Sequence, residues 1–142
     1  NQKKTVIQKY YEGKKGSFAM LCYKKDFQII CCNEQLLEFK NNKIYQFGLI
    51  IGGLESYRKQ IYELGKEICN YFPNLFGYIG VDIVKEKNNW KVIEINPRFT
   101  SSYVGLEQAY GKEVINLISE FYINKKFTCK NYKLKKKVNI YF

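Results

Sequence analysis

The sequence contains no histidine. That absence removes Ser-His and Cys-His nucleophile pairs, imidazole acid-base chemistry and every zinc site built on imidazole. It also lacks a Cys-x-x-Cys: the five cysteines, Cys22, Cys31, Cys32, Cys69 and Cys129, are odd in number and include an adjacent pair. Neither a disulfide framework nor a cysteine-only zinc site is expected, and a reduced, cytoplasmic protein is the expected setting. No apolar run approaches the ~18 residues of a transmembrane span, and the polar start Asn1-Gln2-Lys3-Lys4 does not resemble a signal peptide, so no membrane partner is expected. The initiating methionine is missing too, which leads us to expect a piece of a longer protein. Arginine is scarce: only Arg58 and Arg98 stand beside a large excess of lysine.

What is present bounds the fold. The 142 residues, 46% hydrophobic and 17% aromatic, suffice for one sizeable core and are too few for two ordinary domains, so 1–142 reads as a single domain or part of one. A formal charge of +11 asks for a phosphate-bearing partner or reflects a well-solvated surface. A basic nucleic-acid-binding module is one reading, because 13 Tyr and 10 Phe supply stacking groups. Against it, most aromatics sit at helix or strand periodicity and the lysines are spread along the chain, apart from Lys135-Lys136-Lys137. The scarcity of arginine argues against base-edge recognition.

Thr5 to Tyr11, Ser17 to Tyr23 and Phe27 to Cys32 read as strands of an antiparallel meander. From Leu54 to Phe72, apolar residues at steps of three and four predict an amphipathic helix, with Pro73 after its end. A hairpin follows over Tyr78 to Ile95, then a helical region over Val104 to Tyr122 that Gly111 divides. Val138 to Phe142 has the composition of a last strand. The expected class is α+β: a mostly antiparallel sheet with two helical regions packed on one face.

The hairpin carries the chemistry. With Lys87 to Asn89 as a three-residue loop, Glu86 faces Trp90, Asp82 faces Glu94 and Gly80 faces Asn96. Asp82, Glu94 and Asn96 then share the even face, while Ile79, Val81, Ile83, Ile93 and Ile95 form an apolar odd face suited to helix packing. Opposed residues on one face have Cβ atoms roughly 4.5–5.5 Å apart, and like charges there destabilise a sheet unless neutralised. A bound Mg²⁺ or Mn²⁺ would do so, two carboxylates and an amide oxygen being hard ligands. Solvated carboxylates, each paired with a lysine, are the competing reading. Asn96-Pro97 ends the strand and delivers Arg98, whose fork suits bidentate phosphate or carboxylate recognition.

Gly80-Val81-Asp82 followed by Glu94-Ile95-Asn96-Pro97-Arg98 resembles the metal-binding hairpin of the ATP-grasp enzymes, ATP-dependent carboxylate-amine ligases and their relatives. Val6 to Gly13 is similar to the family's interlobe hinge, and Cys32-Asn33-Glu34-Gln35 to a place where relatives carry a Gln near the phosphates. The run Glu94 to Leu106 resembles most the tyramine-glutamate ligases of methanofuran biosynthesis. The resemblance implies that 1–142 is the C-terminal lobe of an ATP-grasp module whose N-terminal lobe, carrying further ATP-site lysines, is the missing partner. It implies Asp82, Glu94 and Asn96 as ligands of Mg²⁺ or Mn²⁺ bridging the ATP phosphates, with Arg98 stabilising the transferring phosphoryl group. Gln8, Lys9, Tyr10 and Tyr11 would follow the adenine edge, Gln35 would lie near the phosphates, and Val84 and Ile93 would give apolar cover. Val84 shares the metal face; Ile93 has the wrong parity, so its assignment comes from the resemblance alone, and core packing competes for both. Where many relatives have an acidic ribose contact, this chain has Lys14-Lys15.

The implied reaction is phosphorylation of a carboxylate by ATP, then attack of an amine on the acyl phosphate to give an amide, ADP and phosphate. Such chemistry rests on positioning and charge compensation and needs no histidine; beside the nucleic-acid-binding module, a noncatalytic interaction domain that keeps an ATP-grasp-like half fold is the other alternative. Phe99-Thr100-Ser101-Ser102 would either present donors to the acyl phosphate or cap the following helix. Gly52-Gly53 would be either a substrate-side loop or a turn.

Overall fold

Ser17 to Tyr23 is apolar at nearly every position, the pattern of a strand covered on both faces, and it forms the heart of β1 (Lys14–Tyr23). The computed structural model describes residues 7–127 and 132–142. β1 lies inside a sheet with β2 (Asp26–Lys40), β3 (Lys43–Ile51), β4 (Phe76–Glu86), β5 (Asn89–Asn96) and β6 (Val138–Tyr141). The spatial order is β5-β4-β1-β2-β3-β6, and each neighbouring pair runs antiparallel.

Three expectations about strands change. Residues 7–12 form no strand, and the first two residues of the expected strand, Thr5 and Val6, lie outside the described residues. Both neighbours of β1 are already taken by β2 and β4, and Gln8 reaches the sheet through its side chain, donating to the Ile93 carbonyl at 3.1 Å. β2 runs past Cys32 to Lys40 and returns as β3, a strand the sequence reading did not contain. Its turn is Asn41-Asn42, both at positive φ (52° and 58°), the conformation two-residue hairpin loops favour.

The third change lies in the carboxylate hairpin. The loop is the two residues Lys87-Asn88, which pairs Glu86 with Asn89 and Lys85 with Trp90. A bulge at Ile93 then restores the expected pairs Asp82–Glu94, Val81–Ile95 and Gly80–Asn96. Between loop and bulge the parity of β5 is inverted. Trp90 therefore faces the helix side, where its Nε1 donates to Gln60 Oε1 at 3.0 Å, and Ile93 leaves the expected apolar face.

The expected first helix becomes a 3₁₀ turn at Glu55–Tyr57 followed by α1 (Arg58–Tyr71), which buries Ile61, Ile68 and Cys69 and ends before Pro73. Gly52, at φ +76°, and Gly53 make the tight turn into it, with Gly53 N donating to the Ile50 carbonyl at 3.0 Å. The second helical region is a 3₁₀ stretch (Ser101–Gly105), α2 (Leu106–Tyr110) and α3 (Lys112–Asn124), broken at Gly111, whose φ is +89°.

The two helical regions pack on opposite faces of the sheet, not on one. Phe18, Met20, Ile79, Val81 and Ile83 join α1, whereas Ala19, Leu21, Ile30, Leu49 and Tyr78 join α2 and α3. Both parities of β1 are apolar, so each face needs a cover. The α2–α3 layer stops short of Gly80, leaving the Asp82 end of its face for the site.

Candidate active site

Strands β1 to β5 and the segment after β5 build the carboxylate end of the site. The register puts Ser17 of β1 and Glu94 of β5 on either side of Asp82. Gln35 Nε2 donates to Asp82 Oδ1 at 2.8 Å, and Asn96 Nδ2 approaches Oδ2 at 3.4 Å. Both amides thus spend a donor on Asp82, and the carbonyl oxygen of Asn96 stays available as a ligand. Burial and, next, the facing charge of Glu94 push the Asp82 carboxyl above the usual aspartate range; the bond from Gln35 and the Arg98 charge only partly oppose this. Glu94 is exposed and, among the described residues, has no ion-pair partner, so the solvated lysine-paired arrangement is not formed there.

Pro97 turns the chain sharply, with Arg98 N donating to the Asn96 carbonyl at 2.8 Å, and Thr100 comes down onto Gly80. A Cβ at position 80 would lie 2.3 Å from Thr100 Cγ2, so only glycine admits this approach. No side chain caps the 3₁₀ stretch that follows. The Thr100 hydroxyl instead meets Ser102 Oγ at 3.2 Å, and Ser102 Oγ meets the buried Tyr78 hydroxyl at 3.3 Å. Asp82, Asn96, Arg98, Thr100, Ser101 and Ser102 line a cavity of about 100 Å³. Ser17 and Gln46 line it as well; Gln46 was beyond reach of the sequence reading because it sits on β3.

A second cavity, of about 380 Å³, lies beneath residues 8–11. Gln8, Lys9, Tyr10, Tyr11 and Ile93 all line it, joined by Lys15, Leu37 and Ile44. The bulge explains how Ile93 arrives there despite its formal parity. Gln35, Gln46 and Asp82 line both cavities, so the two form one groove, apolar and aromatic at one end and polar at the other. Two expected site residues line neither cavity: Val84, fully buried beneath, and Glu94, at the exposed rim.

Among the described residues no three His, Cys, Asp or Glu side chains cluster as a metal cage. The two opposed carboxylates and the Asn96 oxygen suit instead an ion that completes its shell with phosphate oxygens, as Mg²⁺ commonly does. Burial and the facing charge at Asp82, only partly offset by Gln35 and Arg98, fit such a cation. Far from the groove lies the other arginine: Arg58 binds Glu55 through Nε (2.6 Å) and Nη2 (2.9 Å) and donates to the Ile29 and Ile30 carbonyls. Among the described residues no helix is long and apolar enough to cross a membrane.

Comparison with solved structures finds the same architecture repeatedly. An ATP-grasp superfamily protein from Archaeoglobus fulgidus aligns at 28% identity and TM-score 0.66 over 79% of this chain and 36% of that one. The L-amino acid ligase from Bacillus licheniformis aligns at 13% identity and TM-score 0.74 over 93% of this chain and 34% of that one. N5-carboxyaminoimidazole synthetase from Staphylococcus aureus, complexed with ADP, aligns at 17% identity and TM-score 0.70 over 93% of this chain and 35% of that one. This chain therefore spans about a third of the length of each. No curated protein matches the sequence. Residues 1–102, which include residues 8–11, the groove strands and the carboxylate hairpin, match the ATP-grasp domain, and the chain belongs to that family.

Proposed function

We propose that this chain is the metal-binding half of an ATP-dependent ligase that joins a carboxylate to an amine through an acyl phosphate. The observation that carries the reading is the continuity of the groove: residues 8–11 border one end, Asn96, Arg98 and Thr100 the other, and Gln35, Gln46 and Asp82 line both, with Glu94 facing Asp82 at the rim. In that reading the base lies against Tyr10, Tyr11, Leu37 and Ile93, with the Gln8 amide holding the bulge carbonyl in place. Mg²⁺ or Mn²⁺, held by Asp82, Glu94 and Asn96, would neutralise phosphate charge. Gln35 and Asn96 fix the Asp82 carboxylate by hydrogen bonds, so its lone pairs are aimed before ligand arrives.

Arg98, at the cavity wall, would offset charge on the transferring phosphoryl group. The Thr100–Ser102 hydroxyls, anchored on Tyr78, would cradle the acyl phosphate. The partner lobe that closes the site would come from elsewhere in the same protein, so the isolated chain would be inactive, and a cytoplasmic location suits its free thiols. L-amino acid ligase and N5-carboxyaminoimidazole synthetase share the fold and give the ligase reading its chemical precedent. Glutamate with an aromatic amine such as tyramine is the first pair to test, on the resemblance of residues 94–106. The test is ADP and phosphate release by the full-length protein with Mg²⁺ across carboxylates and amines. The ligase reading expects release that requires both substrates; release indifferent to the amine, or none with any pair, would contradict it.

A further inference from the structure

We propose that Lys15 is an anion ligand inside the groove, holding the phosphate chain of the nucleotide between its base and its metal-bound end. The inference rests on the nucleotide reading of the groove and adds a residue to it. β1 is regular against β4 here, with Lys15 opposite Val84 and Ser17 opposite Asp82. Side chains two apart share a face, so Lys15 follows Ser17 on the groove floor at a spacing of roughly 7 Å. Ser17 lines the cavity at the carboxylate end and Lys15 the cavity beneath residues 8–11, and Gln35, Gln46 and Asp82 line both, so the Lys15 ammonium faces the same continuous groove as Asp82 from the end that residues 8–11 border.

Its present partners leave its charge unmatched. The ammonium donates to the Tyr11 carbonyl and lies 4.6 Å from the centroid of the Tyr10 ring. Among the described residues no carboxylate stands within ion-pair distance of it, whereas the neighbouring Lys14 pairs with Glu34 at 2.9 Å. Burial pushes the Lys15 ammonium toward the neutral form, against the weaker pull of Glu12. A half-buried cation without a counter-ion, facing a groove whose only other lining charge at that end besides Asp82 is Lys9, gains most from an anionic oxygen.

The experiment compares ATP, ADP and adenosine binding with Mg²⁺ by calorimetry in the full-length protein and its Lys15→Met and Lys15→Arg variants. Met keeps the stem and removes the charge. ATP and ADP affinity should fall roughly ten- to a hundredfold in Lys15→Met, the weight of a hydrogen bond to a charged group, while adenosine is unchanged and Lys15→Arg recovers most of the loss. Equal losses for ATP and adenosine would overturn the assignment in favour of a lysine that merely props the Tyr11 carbonyl. Unchanged ATP affinity in Lys15→Met would overturn it alone. A wild-type protein that binds no ATP would overturn the nucleotide reading itself, and the assignment with it.

Discussion

Burial and, next, the facing Glu94 both raise the affinity of the Asp82 carboxylate for a proton. A raised folded-state value means that protonation favours the folded chain. The stabilising contribution is complete below the ordinary value of 3.8 and is lost as the pH climbs through the raised one. In the absence of divalent metal, Asp82→Asn should therefore be slightly more stable than wild type at pH 7, by up to about 1 kcal/mol, with the gain vanishing below that window. Denaturant unfolding at the two pH values checks this, and a large loss at pH 7 would argue for a structural carboxylate. The two arginines make the complementary contrast. Removing Arg58 leaves Glu55 and two carbonyls short of donors and should cost about 2 kcal/mol or more. Arg98→Ala, at an exposed position, should shift stability by less than about 0.5 kcal/mol while ATP turnover falls by orders of magnitude.

The decisive element is the β4–β5 hairpin, and it shows how a register can be read correctly where it matters through a wrong intermediate step. The expected three-residue loop is a two-residue one, and the extra residue reappears as the bulge at Ile93. The two differences cancel beyond the bulge, so Asp82 faces Glu94 and Gly80 faces Asn96 as alternation predicts. Inside the bulge they do not cancel, which is why Trp90 and Ile93 exchange faces. The bulge shifts the alternation of β5 by one residue, so that Trp90 and Ile95, five apart, share a face, and with one short strand that shift is indistinguishable from a longer loop. β3 left a weaker trace: Asn41-Asn42 is a plausible tight turn, but Lys43 to Ile51 alternates poorly, and with that strand Gln46 and Ile44 escaped notice. The segment after the hairpin offers a sharper test. Gly80→Ala should destabilise by about 1–3 kcal/mol through the clash with the Thr100 methyl. Thr100→Ser, which removes that methyl and keeps the hydroxyl, should recover part of the loss in the double variant. Thermal unfolding of the two singles and the double measures it; an additive double would mean that the methyl is not what Gly80 accommodates.

Taken whole, the molecule is a six-stranded sheet between α1 and the α2–α3 layer, with one stretch of one face left uncovered. Class, helices and carboxylate hairpin were legible because each rests on local pattern. The placement of the helices on opposite faces was not deduced, although Phe18, Met20 and Cys22 alternating with Ala19 and Leu21 already demanded two covers. The groove itself is non-local: residues 8–11, β2, β3 and the bulge meet there only in the folded chain. The central claim, that the uncovered stretch holds a metal ion together with a nucleotide, is tested most directly by adding Mn²⁺ and ATP to the ¹⁵N-labelled full-length protein. Paramagnetic broadening of amide signals should centre on Asp82, Glu94 and Asn96, require ATP, and disappear in Asp82→Asn. Broadening centred on another surface, or unchanged by Asp82→Asn, would contradict the account.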